Sequence, residues 1–222
     1  MLITAAMVFA AGCKPTEEND DHDYVDLGLP SGTLWATCNI GATKPEEYGD
    51  YFAWGETKPK SIYDWTTYKF VNGGFDKLTK YCNNSDRGNN GFTDNLTSLE
   101  SGDDAATANW GSDWCMPTKE QWKELLENTT DEWTMQNGVK GRLFTSKKNG
   151  KSLFLPAAGD RWVDELYYVG SNGYYWSSSL CTDPPLSAWY FYFYSDYYYM
   201  YYYYYYRYLG HSVRAVRSTR QN

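Results

Sequence analysis

Few residues in this chain are equipped for covalent or acid–base chemistry. Histidine occurs twice, as His22 and His211, and no Cys-x-x-Cys or His–Cys spacing points to zinc. A histidine-based metal or catalytic centre is therefore nearly excluded. Cys115 stands just before Pro117, where a helix N-terminus would lower a thiol pKa, but a buried or disulfide-bonded cysteine is the plainer expectation. The acid pairs Asp103–Asp104 and Asp160–Asp164 have the residue types of a glycosidase, in a chain where acids are abundant. The serines of the run from Gly173 to Ser179 lack a Gly-x-Ser-x-Gly elbow, which leaves His211 as the one candidate base. No catalytic constellation results, so the expectation is a protein that is not an enzyme and has no cofactor. Structural calcium in the loop from Asp86 to Asp94 has no motif behind it, and a solvated loop is the simpler reading.

The chemical resource the chain does have is tyrosine. It carries 23 Tyr and 10 Trp, and Tyr fills 13 of the 19 positions from Tyr190 to Tyr208. A half-buried strand has two faces that differ in residue type. Here both faces from Trp189 to Tyr194 are aromatic, and from Tyr201 to Tyr206 the faces are identical. Burying every ring would demand a partner for every hydroxyl, so the rings are expected to be largely exposed. Exposed tyrosine offers rigid contact area with only two side-chain torsions to freeze, and Tyr, Trp and Arg dominate binding hot spots. The expected ligand contacts are Tyr190, Tyr192, Tyr194, Ser195, Asp196, Tyr197, Tyr198, Tyr199, Tyr201, Tyr202, Tyr203, Tyr204, Tyr205, Tyr206 and Tyr208. The competing reading is a low-complexity aromatic tract that drives self-association, since such a run has high β propensity and no Pro.

These residues must be positioned by one domain of an α+β class. A helix is signalled from Pro117 to Leu126, with Thr118 and Gln121 forming a capping box and Trp122, Leu125 and Leu126 sharing a buried face. A weaker helix is expected from Asp103 to Asn109. Strands are expected over Thr33–Ala36, Tyr51–Trp54, Ser152–Leu155, Tyr174–Ser178, Trp189–Tyr194 and His211–Val216, joined by loops such as Asn83–Gly91. At 222 residues the chain accommodates one full domain, read as residues 24–217 with a short tail at 218–222. The net charge of −8 argues against nucleic acid, which requires clustered Lys and Arg.

The first thirteen residues are a short apolar run ending in Phe9-Ala10-Ala11-Gly12-Cys13, followed by an acidic stretch over 14–23. The run resembles a bacterial lipoprotein signal lacking its basic start, with Cys13 as the lipid-attachment residue and the acidic stretch as a tether. That implies an exported protein held at the outer membrane or cell surface. Export permits disulfides among Cys38, Cys82, Cys115 and Cys181, and sequence does not choose between the pairings.

The blocks VDLGLPSGTLWATCNIGA, GDYFAWGET, DDAATANWGSDWCMPTKEQWKEL, LFLPAAG, GYYWSSS and SVRAVR, in this order, resemble the gut Bacteroidota lipoproteins that carry the Fibrobacter succinogenes major paralogous domain. The resemblance runs from Tyr24 to Arg217 and implies a C-type lectin-like, formylglycine-generating-enzyme-like fold, with chain ends close together and a loop-rich recognition face. Cys115 departs from it, standing where the family more often shows Arg. The Glu-Pro-Asn and Trp-Asn-Asp motifs of calcium-dependent sugar binding are not present.

The tyrosine segment further resembles the variable region of a diversity-generating retroelement target. Replacing only the adenines of an Asn codon yields Tyr, Asp, His, Ser, Phe, Leu, Arg or Gly, which together supply nearly every residue from Tyr190 to His211. Met200 does not arise that way and reads as fixed. The resemblance implies a diversified ligand surface presented by Trp176, Trp189 and the SVRAV strand, recognising a protein or glycan on another cell, phage or host. The alternatives are a structural or adhesion protein and, third, a sulfatase-modifying-like enzyme or hydrolase.

Overall fold

A computed structural model describes residues 22–201 and 206–218. Cys13, most of the acidic stretch, Tyr202 to Tyr205 and the last four residues lie outside them. In chain order the elements are β1 (Tyr24–Asp26), β2 (Thr33–Ala36), β3 (Tyr51–Phe52), α1 (Ala105–Trp110), α2 (Lys119–Asn128), β4 (Thr129–Gln136) and β5 (Val139–Ser146). They continue with β6 (Ser152–Pro156), β7 (Asp160–Trp162), β8 (Glu165–Tyr167), β9 (Gly173–Leu180), β10 (Ala188–Tyr194), β11 (Tyr197–Tyr201), β12 (His211–Ser212) and β13 (Val216–Ser218).

The expected α+β class is corrected. Strand accounts for 37% and helix for 11%, and the two α-helices have six and ten residues, so the fold is β-rich. The physical reason lies in α2. Its capping box forms as expected, with Thr118 and Gln121 each satisfying the other's backbone N–H, but the 3.6-residue period stops at Asn128 and the chain goes directly into β4. Trp122 and Leu125 are buried, while Leu126 is half-buried.

The strands form four sheets. The central one has the order β11-β10-β9-β12-β3, and its neighbours are β1-β2-β13, β4-β5-β6 and the hairpin β7-β8. In the first of these neighbours β1 and β13 flank β2, so the two ends of the described chain share one sheet. Every residue of β9 is buried, because the central sheet is covered on both sides. Tyr174 and Trp176 point into a core built around Trp54, Trp114 and Tyr63, and Tyr175 points into a second core around Trp35, Trp122 and Phe144. The first core relies on rings whose polar ends find backbone acceptors. Trp176 Nε1 donates to the Phe52 carbonyl at 2.7 Å and Trp54 Nε1 to the Ser177 carbonyl at 2.8 Å. Among the described residues no helix is long and apolar enough to cross a membrane.

Candidate functional site: the tyrosine hairpin

Strands β10 and β11 form an antiparallel hairpin that turns at Ser195 and Asp196. The register pairs Tyr190 with Tyr201, Tyr192 with Tyr199 and Tyr194 with Tyr197, and between them Phe191 with Met200 and Phe193 with Tyr198. Directly opposed residues share a face, so the hairpin has one face of six tyrosines and another made of Phe191, Phe193, Tyr198 and Met200. The second face packs on the core below. Phe191 stacks on Trp122 with ring centroids 4.9 Å apart, and Phe193 meets Trp133 at 6.3 Å. Both faces of β10 are aromatic, as expected from Trp189 to Tyr194, yet they differ in residue type; the stretch from Tyr201 to Tyr206, where sequence distinguishes no face, lies mostly outside the described residues. The signal was the missing hydroxyls at Phe191 and Phe193, which make those two rings the ones that need no hydrogen-bond partner.

On the tyrosine face the rings touch one another in a continuous array. Tyr192 and Tyr199 are 5.7 Å apart, Tyr197 and Tyr199 4.9 Å, and Tyr199 and Tyr201 4.9 Å, all edge to face. Burial falls off towards the turn. Tyr190 is 1% exposed, beside Trp176 and Tyr174, and Tyr197 is 53% exposed. Tyr192 lies between them, its hydroxyl accepting from Asn172 Nδ2 at 2.9 Å. Ser195 and Asp196 are exposed, and Tyr194, Tyr199 and Tyr201 are partly so.

Two of the expected contacts sit towards the core. Tyr190 is a core residue, because at that point β10 runs between β9 and β11 and its ring is roofed by Trp176 and Tyr201. Tyr198 is on the inner face, half-buried beneath the Arg142 guanidinium, which lies 5.0 Å from its ring centroid. Burial, with the Asp131 carboxylate beside it, raises the Tyr198 phenol above its ordinary value. Met200, the residue outside the codon pattern, also faces inward. Tyr206 and Tyr208 stack on each other at 5.6 Å and pack against Trp65. Tyr202, Tyr203, Tyr204 and Tyr205 lie outside the described residues.

Arg142 fixes the turn. Its Nη2 donates to the carbonyl oxygens of Tyr194 at 2.6 Å and Ser195 at 3.0 Å, and its Nη1 pairs with Asp131. Trp189, next to the register shift between Ala188 and Tyr190, leaves both hairpin faces. Its ring sits under Lys119 Nζ at 5.0 Å and lines an open cleft of about 590 Å³ with Thr118, Ser179 and Thr182.

The groups considered for catalysis have other surroundings. Cys115 has exposed surface, yet the protein around it desolvates the thiol and, with Asp104 nearby, pushes it up to about 11, the reverse of an activated nucleophile. The four described cysteines are free thiols. Asp104 caps α1 by accepting from Ala106 and Thr107 and also accepts from Met116 N–H at 2.8 Å. Asp103 is held by Lys69, Lys80 and Tyr81. His211 is fully buried, stacked on Trp176 at 4.0 Å, and desolvation pushes it well below its ordinary value. Asp94 accepts from the backbone of Tyr81, Cys82 and Leu96, and among the described residues no three acidic, His or Cys groups converge as metal ligands.

No protein-family model matches this chain, and no curated protein or solved structure matches it.

Proposed function

We propose that the protein is a non-catalytic binding protein whose ligand surface is the outer face of the β10–β11 hairpin, centred on Tyr192, Tyr194, Tyr197, Tyr199 and Tyr201. The observation that carries this reading is the sorting of residues between the two faces of one hairpin. The inner face meets the needs of core packing, and the outer face presents partly exposed phenols, of which Tyr192 and Tyr201 also pack against the edge of the core. Aromatic rings locked against one another lose little entropy on binding, which is the physical basis of tyrosine-rich recognition surfaces. The resemblance to lipoproteins with the Fibrobacter succinogenes major paralogous domain supports an exported chain anchored through Cys13. The codon composition of the segment supports diversification of that face towards protein or glycan ligands on another cell, phage or host. Sequencing the locus and its flanks in several isolates tests this. A near-copy of the 3′ coding segment, with differences confined to template adenines, is the expected result. Invariant tyrosine codons with no template copy would overturn diversification.

A second reading, self-association, is favoured by one observation: β11 ends the central sheet and leaves a tyrosine-rich strand at its edge. Sedimentation of the full chain over a concentration series separates the two. A monomer throughout supports the binding reading, and concentration-dependent oligomers abolished by Tyr199→Lys on β11 support self-association.

A further inference from the structure

Beside the tyrosine hairpin the chain builds an aromatic cavity with a buried acid at its base. Trp162, Tyr167, Tyr168, Tyr206, Tyr208 and Leu209 enclose about 390 Å³ together with Asp160. This lies within the range of about 300–1,000 Å³ typical of small-ligand sites. It is linked to the hairpin through the buried ring of Tyr174, which meets Tyr168 at 6.4 Å and Tyr192 at 5.0 Å. Trp162 and Tyr168 remain more than half exposed, so the rings stand open to solvent.

The acid is the informative residue. Asp160 is 4% exposed, and its Oδ1 has no hydrogen-bond partner among the described residues although it lines the cavity. Among the described residues no cationic side chain lines the cavity with it, since the neighbouring Arg161 lies over the Tyr51 ring and lines a different cleft. Further negative charge stands beside Tyr167. Glu165 accepts from the Tyr167 hydroxyl at 2.6 Å, and Asp164 stands in the β7–β8 turn. A buried carboxylate with one oxygen unpaired and no counter-charge beside it is costly. A cation placed above it restores both its hydrogen bond and its charge balance, whereas a neutral hydroxyl restores only the former. Electron-rich ring faces on several sides are the other half of a cation site.

The β7–β8 hairpin, which supplies Asp160, Trp162 and Tyr167, is held in an unfavourable conformation. Val163 in the turn has φ +56° and Tyr168 just beyond β8 has φ +58°. For a β-branched residue this region is a real outlier. Val163 is held there by paired backbone bonds with Tyr63, 2.7 and 3.0 Å long. The strain fixes where Trp162 and Tyr168 stand, in keeping with a preformed site.

We propose that this cavity binds an alkylammonium group, with the rings of Trp162, Tyr167, Tyr168, Tyr206 and Tyr208 facing the cation and the Asp160 carboxylate as its counter-ion. The inference rests on the reading of this face as a binding surface and narrows its ligand to a class. The chemistry is shared by a trimethylammonium headgroup and by a lysine side chain of a partner.

The test is titration of the full chain with choline, with butylammonium and with 3,3-dimethylbutanol, the uncharged shape analogue of choline, at about pH 8, above the value of about 7 to which burial raises the Asp160 carboxyl. Trp fluorescence and calorimetry are the readouts. At least one cation is expected to saturate and to bind about tenfold more tightly than the alcohol. Tighter binding of choline assigns the site to trimethylammonium, and tighter binding of butylammonium assigns it to lysine side chains. Asp160→Asn is expected to lose the preference for charge, and Tyr208→Leu to weaken cation binding without losing it. Binding of neither cation more tightly than the alcohol by the wild type, or no saturation by either cation, would overturn the proposal without any variant having to fold. Tyr197→Ser, on the hairpin and outside the cavity, separates the two readings. It leaves cation binding unchanged even where it abolishes binding to a macromolecular ligand.

Discussion

Arg142 and Tyr194 tie two sheets together: the Nη2 of Arg142, on β5, donates to the Tyr194 carbonyl oxygen at the end of β10, 2.6 Å away. The same nitrogen reaches the Ser195 carbonyl, and the guanidinium is neutralised by Asp131 on β4. The hairpin that presents the tyrosines is therefore anchored from outside its own sheet at the point where its exposure is greatest. Charge-assisted bonds to a planar fork are directional, and lysine does not reproduce them.

Arg142→Ala should cost about 3 kcal/mol, because it leaves Asp131 and two carbonyl oxygens without their donor. Hydrogen exchange should show the loss first in the amides of residues 194–199, ahead of the central strand β9. Arg142→Lys should recover only part of it. Uniform loss of protection across β9 and β10 would show that the anchor acts on the whole sheet.

The two faces of the hairpin should respond oppositely to truncation. Phe193→Ala opens a cavity between Trp133, Tyr175 and the core below and should destabilise by about 3–5 kcal/mol. Tyr197→Ser removes a ring that is more than half exposed and should change stability by no more than about 0.5 kcal/mol. Denaturant melts of the two variants check the assignment. Comparable losses in both would mean that the outer rings belong to the core.

These residues also show where the sequence was legible and where it was not. Thr118 and Gln121 announced α2 because a capping box is a purely local device, and Thr33–Ala36 was readable as a strand from four consecutive positions. The β4–β5 hairpin was missed because β4 is mostly solvent-facing and polar, so its alternation is faint. Its signal was the dipeptide Asn137-Gly138, whose φ values of 48° and 84° are those of a two-residue hairpin turn. The expected strand from His211 to Val216 is interrupted because the chain changes sheets there. Val213 and Ala215 give their carbonyls to Ile40 and Ala36 before β13 begins. In the tyrosine segment the density of rings was legible, but the sorting of faces depends on which strand lies on each side. Burial of Tyr190 follows from its place between β9 and β11, which no local pattern encodes.

Asp104 ties the loop before α2 to the start of α1. It caps that helix through two backbone N–H groups and accepts a third from the buried Met116. Asp104→Ala should lose about 1 kcal/mol for the cap and a further 1–3 kcal/mol for the unsatisfied amide. Asp104→Asn keeps one acceptor oxygen and should recover the cap alone. Thermal melts of both variants give the split, and equal losses would assign the whole effect to the Met116 bond.

Asp160 makes stability depend on pH in the direction opposite to most carboxylates. Burial raises its carboxyl from 3.8 to about 7. Between those values the folded chain binds more protons than the unfolded chain, so stability falls as pH rises, by up to about 1.4 kcal/mol per unit. Below about pH 4 both states are protonated and the penalty vanishes; above about pH 7 it is complete. His211 works against this trend. Desolvation lowers its value, so its contribution is present above the unfolded imidazole pKa and is lost as pH falls below it. The two slopes oppose each other in the wild type, and Asp160→Asn removes one of them. Denaturant melts from pH 4 to 8 should therefore show the variant gaining stability relative to wild type as pH rises, with the difference levelling off near pH 7. A constant difference across the range would mean that Asp160 is ionised throughout, and its carboxylate would then already have a counter-ion.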